Sequence, residues 1–415
     1  MTHTIERLGH HGDGIAAGPI FVARTLPGEV ITGEVTGNRI TAPRIVTPSA
    51  NRVTPPCRHY NTCGGCALQH ASDAFVADWK VGVVVSALAA QGITAPINGP
   101  ATSPPNSRRR ATLSARRTKK GAMVGFHGRA SDTISAIDDC HLLHPAIMAG
   151  LPACEALTVA GASRKGELAL TVTASESGLD IAALGGKDLD QPLRTTLAGI
   201  ADRHDLARLT WEDELIAGAR PPVQSFGAAK VAPPPGAFLQ ATAHGQQALT
   251  EAVIRAVGPA KQVIDLFAGS GTFALPLART AEVHAVEGER AMMDALDQGW
   301  RGATGLKRVS CETRDLFRRP MLPDELNRYA AIVIDPPRAG AEAQTAEIAR
   351  STVPVVAAVS CNPTTFARDA KLLCDAGFTL DWVAVVDQFR WSPHVEVAAR
   401  FSRKHVTNRQ HGKNA

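Results

Sequence analysis

Cys361 and Glu396 are the side chains whose surroundings most invite a chemical reading. Cys361 lies in V-S-C-N-P, directly after the apolar run VPVVAAV. A thiol there leaves the carboxyl end of a buried strand and faces the crevice beyond it. Most buried cysteines are inert packing residues. Position argues against that reading here, because Asn362 and Pro363 end the strand and TTFARDAKLL then begins a helix whose amino-terminal field favours a thiolate. Glu396, in WSPHVEVAARFSR, is the candidate proton acceptor. Exposed strand carboxylates are common, however, and by themselves need no catalytic explanation.

A second constellation is C-x5-C-G-G-C, formed by Cys57, Cys63 and Cys66, with Cys140 in DDCHLLHP as the expected fourth ligand. Four thiolates hold either a [4Fe-4S] cluster or a tetrahedral zinc, and ligand type alone leaves both open. The spacing favours iron and sulfur, since three ligands come from one glycine-containing loop and the fourth from far away, unlike the paired short elements of zinc sites. Cys154, Cys311 and Cys374 stand without partners and read as packing. Eight unevenly spaced cysteines in 415 residues do not make a small secreted disulfide scaffold.

The segment VIDLFAGSGTFALPLA sets Asp265, Gly269 and Gly271 between an apolar strand and an apolar helix. Glycines there let a ligand approach the backbone. Glu287, in HAVEGE, ends a second strand and suits the hydroxyls of a ribose, so an adenosine-containing ligand is implied. Neither GxGxxG nor GxxxxGK[ST] is present, which weakens pyrophosphate-binding and P-loop readings. D-L-F-x-G-x-G-T resembles the first motif of class I methyltransferases, whose ligand S-adenosylmethionine carries no phosphate. The loop DPPRAG, following Asp335, differs from the NPPY-like arrangement associated with amino-group methylation. Methylating carbon 5 of a uracil needs a different device. That carbon is a poor nucleophile until a thiolate adds to carbon 6, and a base must afterwards remove the carbon-5 proton.

These residues need a scaffold of three parts. Residues 1–50 alternate short apolar runs with Gly and Pro and predict a small β-barrel. Residues 51–236 form a central α+β region, with a helix over VADWKVGVVVSALAAQG and strands at ELALTVTA and DIAAL, closed by the Pro-rich VAPPPGAF. Residues 237–415 repeat strand, turn and helix: QVIDLFAGSG, EVHAVEG, AAIVIDPPRAG and VPVVAAVSCNP read as parallel strands buried on both faces. Their carboxyl ends then line one crevice.

The net charge of +5 is modest, but Arg108, Arg109, Arg110, Arg116 and Arg117 cluster in RRRATLSARRTKK without a carboxylate. Such runs are often solvated faces; this one is also a candidate for contacts to RNA phosphates. His394 is read as a packing or RNA-contacting residue. No apolar run is long enough to span a bilayer and no signal-peptide layout opens the chain, so a cytoplasmic monomer with no membrane partner is expected.

Taken together, C-x5-C-G-G-C-x-x-Q-H, F-L-Q-A-T, D-L-F-A-G-S-G-T-F, D-P-P-R-A-G, S-C-N-P and H-V-E resemble the bacterial RNA uridine-C5 methyltransferase family in order and spacing. The resemblance implies a class I, Rossmann-like catalytic domain, an amino-terminal TRAM-like, OB-like β-barrel and a central iron-sulfur domain. It implies Cys361 as nucleophile and Glu396 as general base. For S-adenosylmethionine it implies Gln240, Phe267, Glu287 and Asp335, with Thr272 and Asp315 as further contacts beside Gly269 and Gly271. It also implies a [4Fe-4S] cluster on Cys57, Cys63, Cys66 and Cys140, as in the 23S rRNA branch, which favours 23S rRNA over tRNA. A non-catalytic iron-sulfur RNA-binding factor would need neither Cys361 nor Glu396. Thr272 and Thr242 stand where Asn is more usual, and QFRWSPHVE replaces the commoner M-F-P-x-T-x-H-V-E.

Overall fold

The computed structural model describes residues 2–403; Met1 and residues 404–415, counted above with the barrel and the catalytic domain, lie outside the described residues. The amino-terminal strands, from Thr2–Leu8 to Arg44–Thr47, form a six-stranded, mostly antiparallel, barrel-like sheet. Ile5, Ala16, Val22, Ile31 and Ile40, contributed by successive strands, fill its small core. A seven-stranded sheet follows in the central region, with helices Leu151–Gly161 and Gln191–Arg203 over a core that includes Leu113, Leu170 and Trp211.

The third sheet positions the site. Its eight strands run in the order Val309–Thr313, Glu282–Glu287, Gln262–Leu266, Ala331–Ile334, Val355–Ser360, Glu396–Ser402, Thr379–Asp387, Ile97–Thr102. The first five are parallel, as the continuous apolar runs predict, and Ala331–Ile334 is buried throughout. Each fully buried Val, Ile or Leu there stabilises the fold by about 1.5–3 kcal/mol. The order switches direction around Gln262–Leu266, where ligands of open α/β sheets bind.

One expected boundary moves. Helix Asp73–Ala89 and strand Ile97–Thr102 precede residue 236, yet the strand pairs in parallel with Thr379–Asp387, and Val84 and Leu88 are buried in the catalytic core. The central region is therefore interrupted by a piece of the catalytic sheet. An edge strand and its covering helix can come from anywhere in the chain, and their local sequence does not say which core they join.

Candidate active site

Strand direction brings the two candidate catalytic residues together. Glu396–Ser402 runs antiparallel to Val355–Ser360, with Ser360 opposite Val397. The next step outward in that register sets Glu396 against Cys361, although 34 residues lie between the two in the chain. Asp335 follows the parallel strand Ala331–Ile334 and reaches the same edge. Asn362 caps helix Pro363–Asp375 by accepting from the Thr364 amide, and its own amide donates to the Arg338 carbonyl at 3.1 Å, pinning the DPPRAG loop beside the thiol.

The electrostatics differ from the sequence expectation. Burial pushes the Cys361 thiol up to about 11, Glu396 and Asp335 add to the rise, and the Arg338 cation opposes it. Burial and two carboxyls thus outweigh the helix amino terminus, and the free protein holds a thiol. Glu396 is itself raised to about 8 by burial and by Asp335, against a hydrogen bond from Gln388. Asp335 is raised to about 7 by burial. Glu396 is buried at 3% exposure, so it is not the solvated strand carboxylate that its sequence context allowed.

The cofactor candidates gather at the adjoining strand ends. Glu287 accepts from the Gly269 amide at 3.1 Å and from the Gly288 amide at 2.7 Å, which holds the carboxylate across the mouth of the glycine turn. A Cβ on Gly271 would lie 2.8 Å from the Leu275 side chain and 2.9 Å from that of Leu296, so only glycine fits that turn. Thr272 completes the turn. Phe267 adopts a left-handed backbone and packs its ring 5.4 Å from that of Phe317, while Asp315 caps the Phe317 amide at 3.0 Å. Gln240 is buried and points its amide at Asp335, 3.5 Å away.

Sequence reasoning passed over three residues here. Asp265 is fully buried, both its oxygens lack a hydrogen-bond partner, and burial with Asp335 and Glu287 raises its carboxyl well above the usual range. An orphaned buried carboxyl beside the glycine turn is what an absent polar ligand would leave, and the residues present fit S-adenosylmethionine. The aromatic Phe317, 53% exposed opposite Phe267, adds an apolar wall. Gln388 bonds both Gln240 and Glu396 at 2.5 Å. The signal for Asp265 was its place in D-L-F-A-G-S-G; Gln388 was marked only as part of the QFRWSPHVE departure, and nothing local marked Phe317.

In front of Cys361 opens a groove of about 870 Å³ between the barrel, helix Asp73–Ala89 and the catalytic sheet, with Arg7, His10, His11, Trp79, Arg338 and His394 on its walls. A second groove of about 590 Å³ shares His11, Pro393 and His394 and continues past Cys66, Arg39 and Arg129. Burial and the surrounding cations keep His394 below its ordinary pKa, and its ring meets Phe389 edge-on at 5.8 Å.

The arginine run divides. Arg116 and Arg117 are exposed on strand Arg110–Thr118, Arg116 pairing with Glu167. Arg109 is buried, donating to the Gln240 carbonyl at 3.1 Å and to Gln224 and Gln246, so it anchors the cofactor segment and is not available to phosphate. Arg110 is half-buried and donates to the Gly236 carbonyl at 2.8 Å. Arg108 lies over the Phe389 ring and faces Cys66 and Cys140.

The four cysteines are free and half-buried. Their loop docks on strand Gly121–His127 through the Gly64 amide, which donates to the His127 carbonyl at 2.9 Å. Burial raises Cys66 to about 12, with Cys140, Cys63 and Cys57 adding to the rise, so the thiols are near neighbours. Among the described residues, no three metal-ligating side chains close into a metal-holding group. Neutral thiols do not attract one another to a common centre, so proximity is the stronger observation.

The Cys361 environment is directly testable. Alkylation of the Cys361 peptide by iodoacetamide, followed by mass spectrometry, should still be rising about tenfold per unit between pH 8 and 10 in the free protein. A plateau by pH 8 would contradict the carboxyl-dominated site.

Comparison with known proteins identifies the family. A family model described as tRNA (Uracil-5-)-methyltransferase matches residues 232–404. An uncharacterized RNA methyltransferase of Rhizobium meliloti is 44% identical over 97% of this chain and 99% of its own. The 23S rRNA (uracil(1939)-C(5))-methyltransferase RlmD of Halomonas elongata is 33% identical over 98% and 90%. The crystal structure of Pyrococcus abyssi tRNA (uracil-54, C5)-methyltransferase with S-adenosyl-L-homocysteine, 20% identical, superposes over 97% of this chain and 99% of that one with a TM-score of 0.77, showing a shared fold. Among the described residues no helix is long and apolar enough to cross a membrane. The chain belongs to the S-adenosylmethionine-dependent RNA uracil-C5 methyltransferase family.

Proposed function

We propose that this protein methylates carbon 5 of a uridine in 23S rRNA, in the cytoplasm and as a monomer, with Cys361 as nucleophile and Glu396 as proton acceptor. The observation that carries the reading is the register that sets Cys361 against Glu396 at the mouth of the large groove. The Cys361 thiol releases its proton to solvent in the groove, and the thiolate adds to carbon 6, forming an S–C bond and leaving an enolate with carbon 5 nucleophilic. Gln240, Phe267, the Gly269–Gly271 turn with Thr272, Glu287, Asp315 and Asp335 would hold S-adenosylmethionine, whose sulfonium S–CH3 bond would break as carbon 5 takes the methyl group, leaving S-adenosylhomocysteine. Glu396 then takes the carbon-5 proton. The electrons of that C–H bond restore the carbon 5–carbon 6 double bond as the S–C bond breaks and the thiolate leaves.

The paired grooves support an RNA path from Cys361 past the cysteine loop, lined by Arg7, Arg39, Arg129 and Arg338. Arg116 and Arg117 extend the basic surface. A base held in a stem must leave its stack to reach Cys361. Ribosomal RNA is favoured by the four cysteines and by the name of the Halomonas relative. The family description and the Pyrococcus structure keep tRNA as the second reading.

Two variants separate the halves of the cycle. Cys361→Ala should abolish both methylation and any covalent protein–RNA species on a denaturing gel. Glu396→Gln, nearly isosteric, should accumulate a methylated covalent adduct because elimination stalls. In the wild type, product release should accelerate as pH rises through about 8, because only ionised Glu396 accepts the proton. Methylation by Cys361→Ala, or free turnover by Glu396→Gln, would overturn these roles.

The same proposal includes a [4Fe-4S] cluster held by Cys57, Cys63, Cys66 and Cys140. Its support is the loop spacing, the mutual proximity of the thiols, and the Arg108 cation facing Cys66 and Cys140, which suits an anionic centre. Anaerobically purified protein should contain iron and absorb broadly in the visible. Stoichiometric zinc without iron would refute it.

A further inference from the structure

The hydrogen bonds around Glu396 form a chain whose directions are fixed from one end. The Thr242 backbone amide can only donate, and it meets the Gln388 side-chain oxygen at 3.4 Å. That orients the Gln388 nitrogen outward, and its two N–H groups reach Glu396 Oε2 and Gln240 Oε1, each at 2.5 Å. Gln240, its oxygen so engaged, turns its own nitrogen to Asp335 Oδ2 at 3.5 Å. Gln388 is 2% exposed, and its place is carved by a missing side chain: a Cβ on Gly245 would stand 2.6 Å from the Gln388 Cβ. Its backbone neighbours are held too. Asp387 takes the buried Lys80 ammonium at 2.5 Å, and Lys80 also donates to the Phe389 carbonyl at 3.0 Å.

We infer that Gln388 is a positioning residue for the elimination step, its amide fixing the Glu396 carboxyl and tying it to the Gln240 and Asp335 end of the cofactor site. The inference rests on Glu396 being the proton acceptor. A donor to Glu396 favours the ionised form that accepts the carbon-5 proton, against burial and the opposing influence of Asp335, with the Cys361 thiol on the neighbouring strand end. Lys80 does not serve this purpose, because Asp387 and the Phe389 carbonyl engage it. Gln388 is neutral and buried, so it supplies this hydrogen bond without adding a charge to a site already crowded with acids.

The test uses the full-length protein with Gln388→Met and Gln388→Leu, which keep the volume and lose both donors. Covalent trapping on RNA carrying 5-fluorouridine reads the steps before proton removal and should form at close to the wild-type rate, which also certifies folding. Release of methylated product from ordinary uridine RNA should slow roughly 10- to 100-fold, the scale of losing one hydrogen bond to a charged group. The pH at which release accelerates should move upward, because the ionised carboxylate has lost a donor. Gln388→Glu, which removes the amide and adds an acid, should move it further in the same direction. Release at the wild-type rate with an unmoved pH profile, while Glu396→Gln still traps its adduct, would overturn the role of Gln388 alone. Free turnover by Glu396→Gln would overturn the base assignment and this inference with it. A uniform loss of trapping and release in both neutral variants, with wild-type S-adenosylmethionine binding and thermal melting, would also overturn it, since the defect would then precede proton removal.

Discussion

The site is governed by the crowding of acids at one edge of one sheet. Asp265, Asp335, Cys361 and Glu396 end neighbouring strands or adjoin their ends, and burial raises the pKa of each. They cannot all ionise together in so little water, so the free protein holds protons on several of them. The cofactor used by the family carries a sulfonium, and a cation held among these groups would favour their ionised forms. Arg338, beside Cys361, is the protein's own cation at that point.

Much of the remaining architecture holds the loop between Thr379–Asp387 and Glu396–Ser402. Helix Asp73–Ala89 supplies Lys80 to Asp387, and Asp73 takes both Arg390 and the Trp391 indole. The cysteine loop supplies the Ala67 and Leu68 amides, which donate to the Trp391 carbonyl at 2.8 and 2.9 Å. Arg108 covers Phe389. Three distant segments thus converge on the few residues that lead into Glu396. The cysteine loop is joined to the catalytic edge through two backbone hydrogen bonds immediately after Cys66. That gives its four thiols a structural route to the site whatever they ligate.

Periodicity revealed the parallel sheet because a strand buried on both faces has a continuous apolar run, as AIVI and VVAAV do. It singled out Cys361 because a thiol at the end of such a run has few structural reasons to be there. It could not reveal that Ile97–Thr102 joins the catalytic sheet, since INGPAT carries no apolar signature and edge pairing is decided by tertiary packing. The arginine run misled for a related reason. Charge in sequence does not report burial, and Arg109 spends its donors on a backbone carbonyl and two glutamines inside the protein. Phe317 and the link from Gln388 to Gln240 were invisible because they depend on partners far away in the chain. Lowered protonation at Cys361 was expected from the helix start, which is local; the carboxyls that reverse it come from other strands.

The central claim is that carbon 5 is the atom methylated, through a cycle in which its hydrogen leaves as a proton. RNA transcribed with uridine tritiated at carbon 5 tests this most directly, with methyl incorporation and tritium release to water measured on the same sample. The account predicts one tritium released for each methyl group transferred by the wild-type protein, and neither event in Cys361→Ala. Methyl incorporation without tritium release would mean that the methyl group goes to another atom, and would contradict the account.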